Sequence, residues 1–158
     1  MNDTLQTVKI TLDGQEVEVP AGITIMEAAE QFGVKIPRLC HHPDLSLAGT
    51  CRVCIVEVKD MPAHMASCSV KVWEGMEVKT NTPVIREARR DIVELLLDNH
   101  NMDCQMCERD SNCELQRLAY AMGVRKRLFE GERKNIAGDC TGASVVRDPS
   151  RCILCGRC

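Results

Sequence analysis

The chain has 158 residues, 11 of them cysteine, with 3% aromatic residues and a formal net charge of -3. That length suits one ordinary domain or two to three small ones, but Phe32, Trp73, Tyr120 and Phe129 are too few to anchor one large core, so cysteine chemistry is expected to hold the fold together. The near-neutral charge gives no support to nucleic-acid binding through a basic surface, and no run approaches the roughly 18 apolar residues of a membrane-spanning helix.

The start MNDTLQTVKI lacks a basic segment followed by an apolar stretch, so no secretory signal is expected and the cytoplasm is the predicted setting. In a reducing compartment thiols stay available to metals, and an odd cysteine count leaves one thiol over in any disulfide scheme.

Val8, Ile10 and Leu12 alternate before Asp13-Gly14, and Val17 and Val19 alternate after it, which predicts a hairpin over residues 5–19. Asp-Gly favours the positive dihedrals of a type I′ turn. Pro20-Ala21-Gly22 breaks the strand, and Thr24 with Glu27 three residues later predicts a capping box opening a helix that ends near Gly33. Ile25, Met26, Ala28, Ala29 and Phe32 are expected to face the sheet.

Next come four cysteines spaced C-x10-C-x2-C-x13-C: Cys40, Cys51, Cys54 and Cys68. A close pair flanked by two distant cysteines brings soft thiolates together from loops, as an iron-sulfur cluster needs. Structural zinc uses the same kind of set, and spacing alone leaves both open. Gly49-Thr50 before Cys51 are small enough to let backbone amides approach bridging sulfides. His41, His42 and His64 are expected at the surface or behind the ligands. The run from Cys54 to Val58 reads as a strand, and Met76, Val78 and Thr80 alternate as a closing strand after Gly75.

Thr82-Pro83 predicts a cap and first helical residue for a helix of about four turns. Ile85, Ala88, Ile92, Leu95 and Leu96 recur at helical spacing, opposite a face with Arg86, Glu87, Arg89, Arg90, Asp91 and Glu94. The helix delivers His100 to HNMDCQMCERDSNC, where His100, Cys104, Cys107 and Cys113 form an H-x3-C-x2-C-x5-C set, again open to zinc. Ser111 and Glu114 predict a second capping box, placing Cys113 in the first turn of a helix that carries Leu115, Leu118, Ala119 and Met122 to Gly123. Met26, Met65, Met76 and Met122 are expected as core filler.

Residues 124–148 read as a linker, with the charge of Arg125 to Arg127 and Glu132 to Lys134 solvated and one short strand over Ser144 to Pro149. The terminal RCILCGRC supplies Cys152, Cys155 and Cys158 as C-x2-C-x2-C. That is the opening of a bacterial ferredoxin motif, whose fourth cysteine would lie past residue 158. Cys140 is left over and expected to be free. No glycine-rich dinucleotide loop, Ser-His-Asp set or phosphate cradle is visible, so no catalytic centre is expected within these residues.

The hairpin, helix, cysteine loop and strand over residues 1 to about 80 resemble the β-grasp fold of ferredoxins, although the plant-type C-x4-C-x2-C spacing is not met. The longer spacing is similar to the amino-terminal domain shared by the large iron-sulfur subunit of respiratory NADH-quinone oxidoreductase, NAD-linked formate dehydrogenases and multimeric iron-only hydrogenases. The fragment NCELQRLAYAMGV also resembles these families, and LFEGERKN followed by SVVRDPSRCILCGRC looks most like the hydrogenase branch. The resemblance implies an α+β chain in four parts. A 2Fe-2S β-grasp domain (1–80) is followed by a helical 4Fe-4S domain with one histidine and three cysteine ligands (81–123), a linker (124–148) and the truncated start of a bacterial-type 4Fe-4S ferredoxin domain (149–158). It implies a 2Fe-2S cluster on Cys40, Cys51, Cys54 and Cys68, a 4Fe-4S cluster on His100, Cys104, Cys107 and Cys113, and a further 4Fe-4S cluster begun by Cys152, Cys155 and Cys158. The implied role is an electron wire between a flavin-containing NADH-oxidising subunit, with a small 2Fe-2S subunit beside it, and a downstream hydrogenase site, in a complex that can itself be a homo-oligomer. The alternatives are the same wire in the other two families, or a zinc-binding interaction module.

Overall fold

The computed structural model describes residues 6–126, 129, 131–132 and 136–158. Arg127, Arg133 and Lys134, expected as solvated charge, lie outside the described residues, while Arg125, Lys126 and Glu132 are exposed. Strands β1 (Thr7–Leu12) and β2 (Gln15–Pro20) pair antiparallel as the predicted hairpin, with Leu12 opposite Gln15. Asp13 at φ 49° and Gly14 at φ 87° supply the two positive dihedrals of a type I′ turn. Asp13 has a second task. Its carboxylate accepts the Thr80 amide and the Thr80 hydroxyl, each at 2.6 Å, which fastens the turn to the last strand.

Helix α1 (Ile25–Gln31) opens on the predicted capping box of Thr24 and Glu27 and buries Ile25, Met26, Ala28 and Ala29. Phe32, expected beside them, is 46% exposed. It is the C-cap, at φ -101° and ψ 16°, and so has left the helical register that would have turned it inward. Strands β3 (Ile55–Val58), β4 (Met65–Ala66) and β5 (Glu77–Lys79) complete a five-stranded sheet in the order β2-β1-β5-β3-β4. β5 runs parallel to β1 and antiparallel to β3, so the sheet is mixed. Its core contains Ile10, Leu12, Val19, Val56, Met76 and Val78 packed on α1.

Thr82 caps helix α2 (Pro83–Asp98) by accepting the Ile85 amide at 3.2 Å, with Pro83 first in the helix as expected. The buried row is Ile85, Arg89, Val93 and Leu97, joined by Glu94. This corrects the expected stripe, because Leu95 is 58% exposed while Arg89 and Glu94 leave the charged face and go inside. The i, i+4 row through Ile85 faces β3 and helix α3 (Glu114–Ala121), which rotates the helix from the register that apolar residues alone suggest. Cys113 is the N-cap of α3 rather than a first-turn residue, and its side chain makes no capping hydrogen bond. Ser111, at φ 64°, does not form the expected capping box.

A second core gathers Leu39, Val53, Val93, Leu97, Leu115, Ala119 and Val124. All four aromatics are exposed, so neither core rests on aromatic packing. The strand expected over Ser144 to Pro149 is reduced to one bridge between Asp139 and Arg147 and a 3-10 turn at Pro149–Arg151. Among the described residues no helix is long and apolar enough to cross a membrane.

Asp13→Ala removes both bonds to Thr80 and leaves a β-carbon residue at positive φ. A loss of roughly 2–3 kcal/mol, from hydrogen bonds to a charged group, is expected in urea unfolding, with Asp13→Asn losing less because asparagine tolerates the left-handed turn.

Candidate iron-sulfur sites

The first cysteine quartet lies where the two cores meet. Cys54 and Cys68 belong to the core of the sheet, whereas Cys40 and Cys51 belong to the core made by α2 and α3. All four thiols are buried. They stand in pairs: the sulfurs of Cys54 and Cys68 are 3.3 Å apart, and the thiols of Cys40 and Cys51 are in hydrogen-bond contact.

Burial opposes ionisation of Cys40, but the Cys51 amide and thiol and the Thr50 amide and hydroxyl outweigh it and bring its pKa below the ordinary thiol value. Burial dominates at Cys51 and raises its pKa, against the amides of Val53, Cys40 and Leu39. Cys68 is pushed up to about 12, first by burial and then by the Cys54 thiol and the negative charges of Cys54, Cys40 and Cys51. Backbone amides therefore aim at one pair, and mutual repulsion burdens the other. Repulsion of that kind is relieved when the thiolates bind metal. Gly49 at φ 62° and Arg52 at φ 58° make the sharp bends of this loop.

Among the described residues no three or more His, Cys, Asp and Glu side chains converge as a single metal ion requires. Paired thiols suit a binuclear cluster, in which two ligands serve each iron. The residues present fit that group.

The second quartet comes from three local devices. The end of α2 delivers His100, the 3-10 turn Cys104–Met106 brings Cys104 near Cys107, and the cap of α3 supplies Cys113. All four line one small cavity with Asn101, Arg109, Asp110 and Gln116. Burial raises the pKa of Cys104, helped by the charges of Cys113, Asp110, Cys107 and Asp103. A four-iron cluster takes one ligand per iron, so ligands that ring a cavity fit it. The third group is different: Cys152 and Cys158 are exposed, Cys155 is half-buried, and the three follow the terminal segment instead of closing a site. Cys140 is exposed.

His42 is partly exposed, its Nδ1 accepting the Asp44 amide at 3.2 Å, and His64 is exposed. His41 offers its carbonyl to Arg157 at 3.0 Å, and the same guanidinium donates to Glu114 at 2.6 Å. Arg157 thus joins the residue after Cys40 to the residue after Cys113. Thr50 donates to the Leu154 carbonyl at 3.1 Å, and Arg151 hydrogen-bonds Cys107. Sequence reasoning missed Arg89, Arg151 and Arg157. For Arg89 a signal existed, since it sits at i+4 from Ile85 and i-4 from Val93 in the row that turns out buried.

A mixed sheet over one helix, with four buried thiols beside a cavity ringed by one histidine and three more cysteines, defines an iron-sulfur protein. Residues 5–83 match the 2Fe-2S iron-sulfur cluster binding domain family, and residues 89–127 match the NADH-ubiquinone oxidoreductase-G iron-sulfur binding region. The chain belongs to that 2Fe-2S iron-sulfur cluster binding domain family. Both descriptions name iron-sulfur binding rather than zinc. The NADH-ubiquinone oxidoreductase 75 kDa subunit of Reclinomonas americana is 40% identical over 151 residues, 96% of this chain and 22% of the relative. The mitochondrial NADH dehydrogenase [ubiquinone] iron-sulfur protein 1 of Solanum tuberosum is 39% identical over 96% of this chain and 20% of its own length. The chain thus spans about a fifth of these relatives. An NAD+-reducing [NiFe]-hydrogenase, solved in the H2-reduced state, superposes with a TM-score of 0.86 at 35% identity, over 95% of this chain and 63% of that one.

Because the folded state holds the Cys68 proton more tightly than the ordinary thiol value of 9.0, metal-free protein should lose stability as pH rises from about 9 toward about 12. In metal-free, natively folded protein at pH 8, iodoacetamide should label exposed Cys140 well before Cys68, read by peptide mass spectrometry; equal labelling rates would contradict this order.

Proposed function

We propose that these residues are an electron-transfer module with two complete iron-sulfur centres and the start of a third. Cys40 and Cys51 hold one iron of a 2Fe-2S cluster, Cys54 and Cys68 hold the other, and residues 1–80 form a β-grasp unit around it. His100, Cys104, Cys107 and Cys113 hold a 4Fe-4S cluster within residues 81–123. Residues 124–148 link this unit to residues 149–158, where Cys152, Cys155 and Cys158 begin a bacterial-type 4Fe-4S ferredoxin motif. The observation that carries the reading is the pairing of four buried thiols at one end of the sheet.

Bound iron-sulfur clusters supply one-electron carriage at potentials set by ligand, hydrogen bonding and burial. The chain's residues do the rest. The Cys51 and Thr50 amides donate toward the Cys40 sulfur, burial excludes water from the first quartet, and Arg151 donates to the Cys107 sulfur. The electrons pass between a flavin-containing NADH-oxidising subunit, with a small 2Fe-2S subunit beside it, and a downstream active site in a cytoplasmic complex. The NAD+-reducing hydrogenase neighbour supports an NAD-linked hydrogenase parent, which we take to be of the iron-only kind. The names of the sequence relatives favour a second reading, the same wire in an NADH-quinone oxidoreductase. The sequence following Cys158 separates the two.

Anaerobically purified protein should contain iron and acid-labile sulfide and show visible absorption that dithionite bleaches; colourless protein with stoichiometric zinc would end the proposal. His100→Cys adds a negative ligand, so the four-iron cluster should persist with a lower midpoint potential in an EPR-monitored titration, and an unchanged midpoint would remove the histidine from the ligand set.

A further inference from the structure

Arg89 is a cation in a place that disfavours cations. It lies inside α2 at 5% exposure. Its Nη2 donates to the Ile55 carbonyl at 2.7 Å, and its Nε is buried without a hydrogen-bond partner. Among the described residues no carboxylate lies within ion-pair distance of it, so the only partner placed on it is a neutral carbonyl. A buried charge without a counter-charge costs several kcal/mol.

The nearby anions are already engaged or belong to the first quartet. Glu94, buried on the same helix, pairs with Arg90 at 2.9 Å. The Asp13 carboxylate is bonded to both Thr80 groups. What remains is Cys54, whose carbonyl-side neighbour Ile55 receives the guanidinium and whose sulfur is buried 3.3 Å from that of Cys68. The electrostatics agree in direction. Burial lowers the Arg89 pKa to about 10, and the thiolate of Cys54 is the first charge working to raise it again, ahead of Asp13. The guanidinium stays protonated at neutral pH.

We propose that Arg89 is the buried counter-cation of the first iron-sulfur centre, held by the Ile55 carbonyl, and that its charge favours the reduced form of that centre. The proposal rests on the assignment of a 2Fe-2S cluster to Cys40, Cys51, Cys54 and Cys68. Such a cluster is already anionic with four thiolate ligands, and one added electron makes it more negative by one charge while no proton moves. A fixed positive charge in a low-dielectric setting stabilises the more negative state. α2 belongs to the second cysteine unit, so one unit would set the potential of the other's cluster.

Two substitutions separate charge from hydrogen bonding in the full-length, cluster-loaded protein. Arg89→Gln keeps a donor for the Ile55 carbonyl and removes the charge; Arg89→Lys keeps the charge and alters the donor geometry. Dithionite titration with redox mediators, followed by EPR, reads the two-iron and four-iron signals separately. In Arg89→Gln the equilibrium constant for reducing the two-iron centre should fall at least tenfold, about 59 mV for a one-electron couple, with the four-iron centre unmoved. Arg89→Lys should stay within about twofold of the parent. Loss of the two-iron signal in Arg89→Gln with retention in Arg89→Lys also supports a charge requirement. The proposal is overturned by an unchanged potential in Arg89→Gln, by an equal fall in both variants, or by loss of the two-iron centre in both. If the parent protein itself lacks a two-iron signal, the cluster assignment fails instead, and iron and sulfide analysis identifies that case.

Discussion

Four thiols that repel one another as anions have been brought together where two small cores join, and much of the architecture serves that placement. The seam is one residue wide: Val53 packs in the helical core and Cys54, its neighbour in sequence, in the core of the sheet. Neither core is large, and neither contains an aromatic ring. A chain of this size with two modest cores has little stability to spare. A metal cluster bound at their junction would therefore contribute to folding as well as to redox chemistry, because each core supplies one pair of sulfurs.

The two sides of that site are built differently. The Cys40–Cys51 side is rich in donors, with loop amides turned toward sulfur by the positive-φ bends at Gly49 and Arg52. On the Cys54–Cys68 side, Ser67 spends its hydroxyl and amide on the Cys54 carbonyl instead of a sulfur. Hydrogen bonds to sulfur favour the more negative state of a centre, so in a cluster held by these four cysteines the asymmetry would distinguish the two thiol pairs before any partner protein is considered.

Local grammar in the sequence carried a good deal of this. Asp13-Gly14, the Thr24–Glu27 box and Thr82-Pro83 each have a self-contained physical cause within a few residues, and each forms as expected. The cysteine spacings picked out Cys40, Cys51, Cys54 and Cys68, whose thiols are buried in two pairs, and His100, Cys104, Cys107 and Cys113, which line one cavity. What escaped were features fixed by tertiary contacts. β4 has two residues, too few to show a period. Apolar periodicity alone does not give the rotation of α2, because Arg89 turns inward to donate to the buried Ile55 carbonyl on β3. Ser111 and Glu114 have capping-box spacing, yet the helix starts at Cys113 because the preceding turn puts Ser111 in the left-handed region. Spacing says which residues are near one another along the chain; it does not say which way a helix is turned by what it packs on.

The contacts of the terminal segment have a bearing on how the molecule is put together in time. Thr50 reaches Leu154 across 104 residues and Arg157 reaches His41 across 116, among the longest closures in the chain. Contacts so distant contribute only after loop-closure entropy has been met, and their receiving ends are the loop residues beside Cys40 and Cys51. Those loops must be shaped before the last three cysteines have anything to dock on. The terminal segment is therefore expected to settle last, onto loops that are already folded.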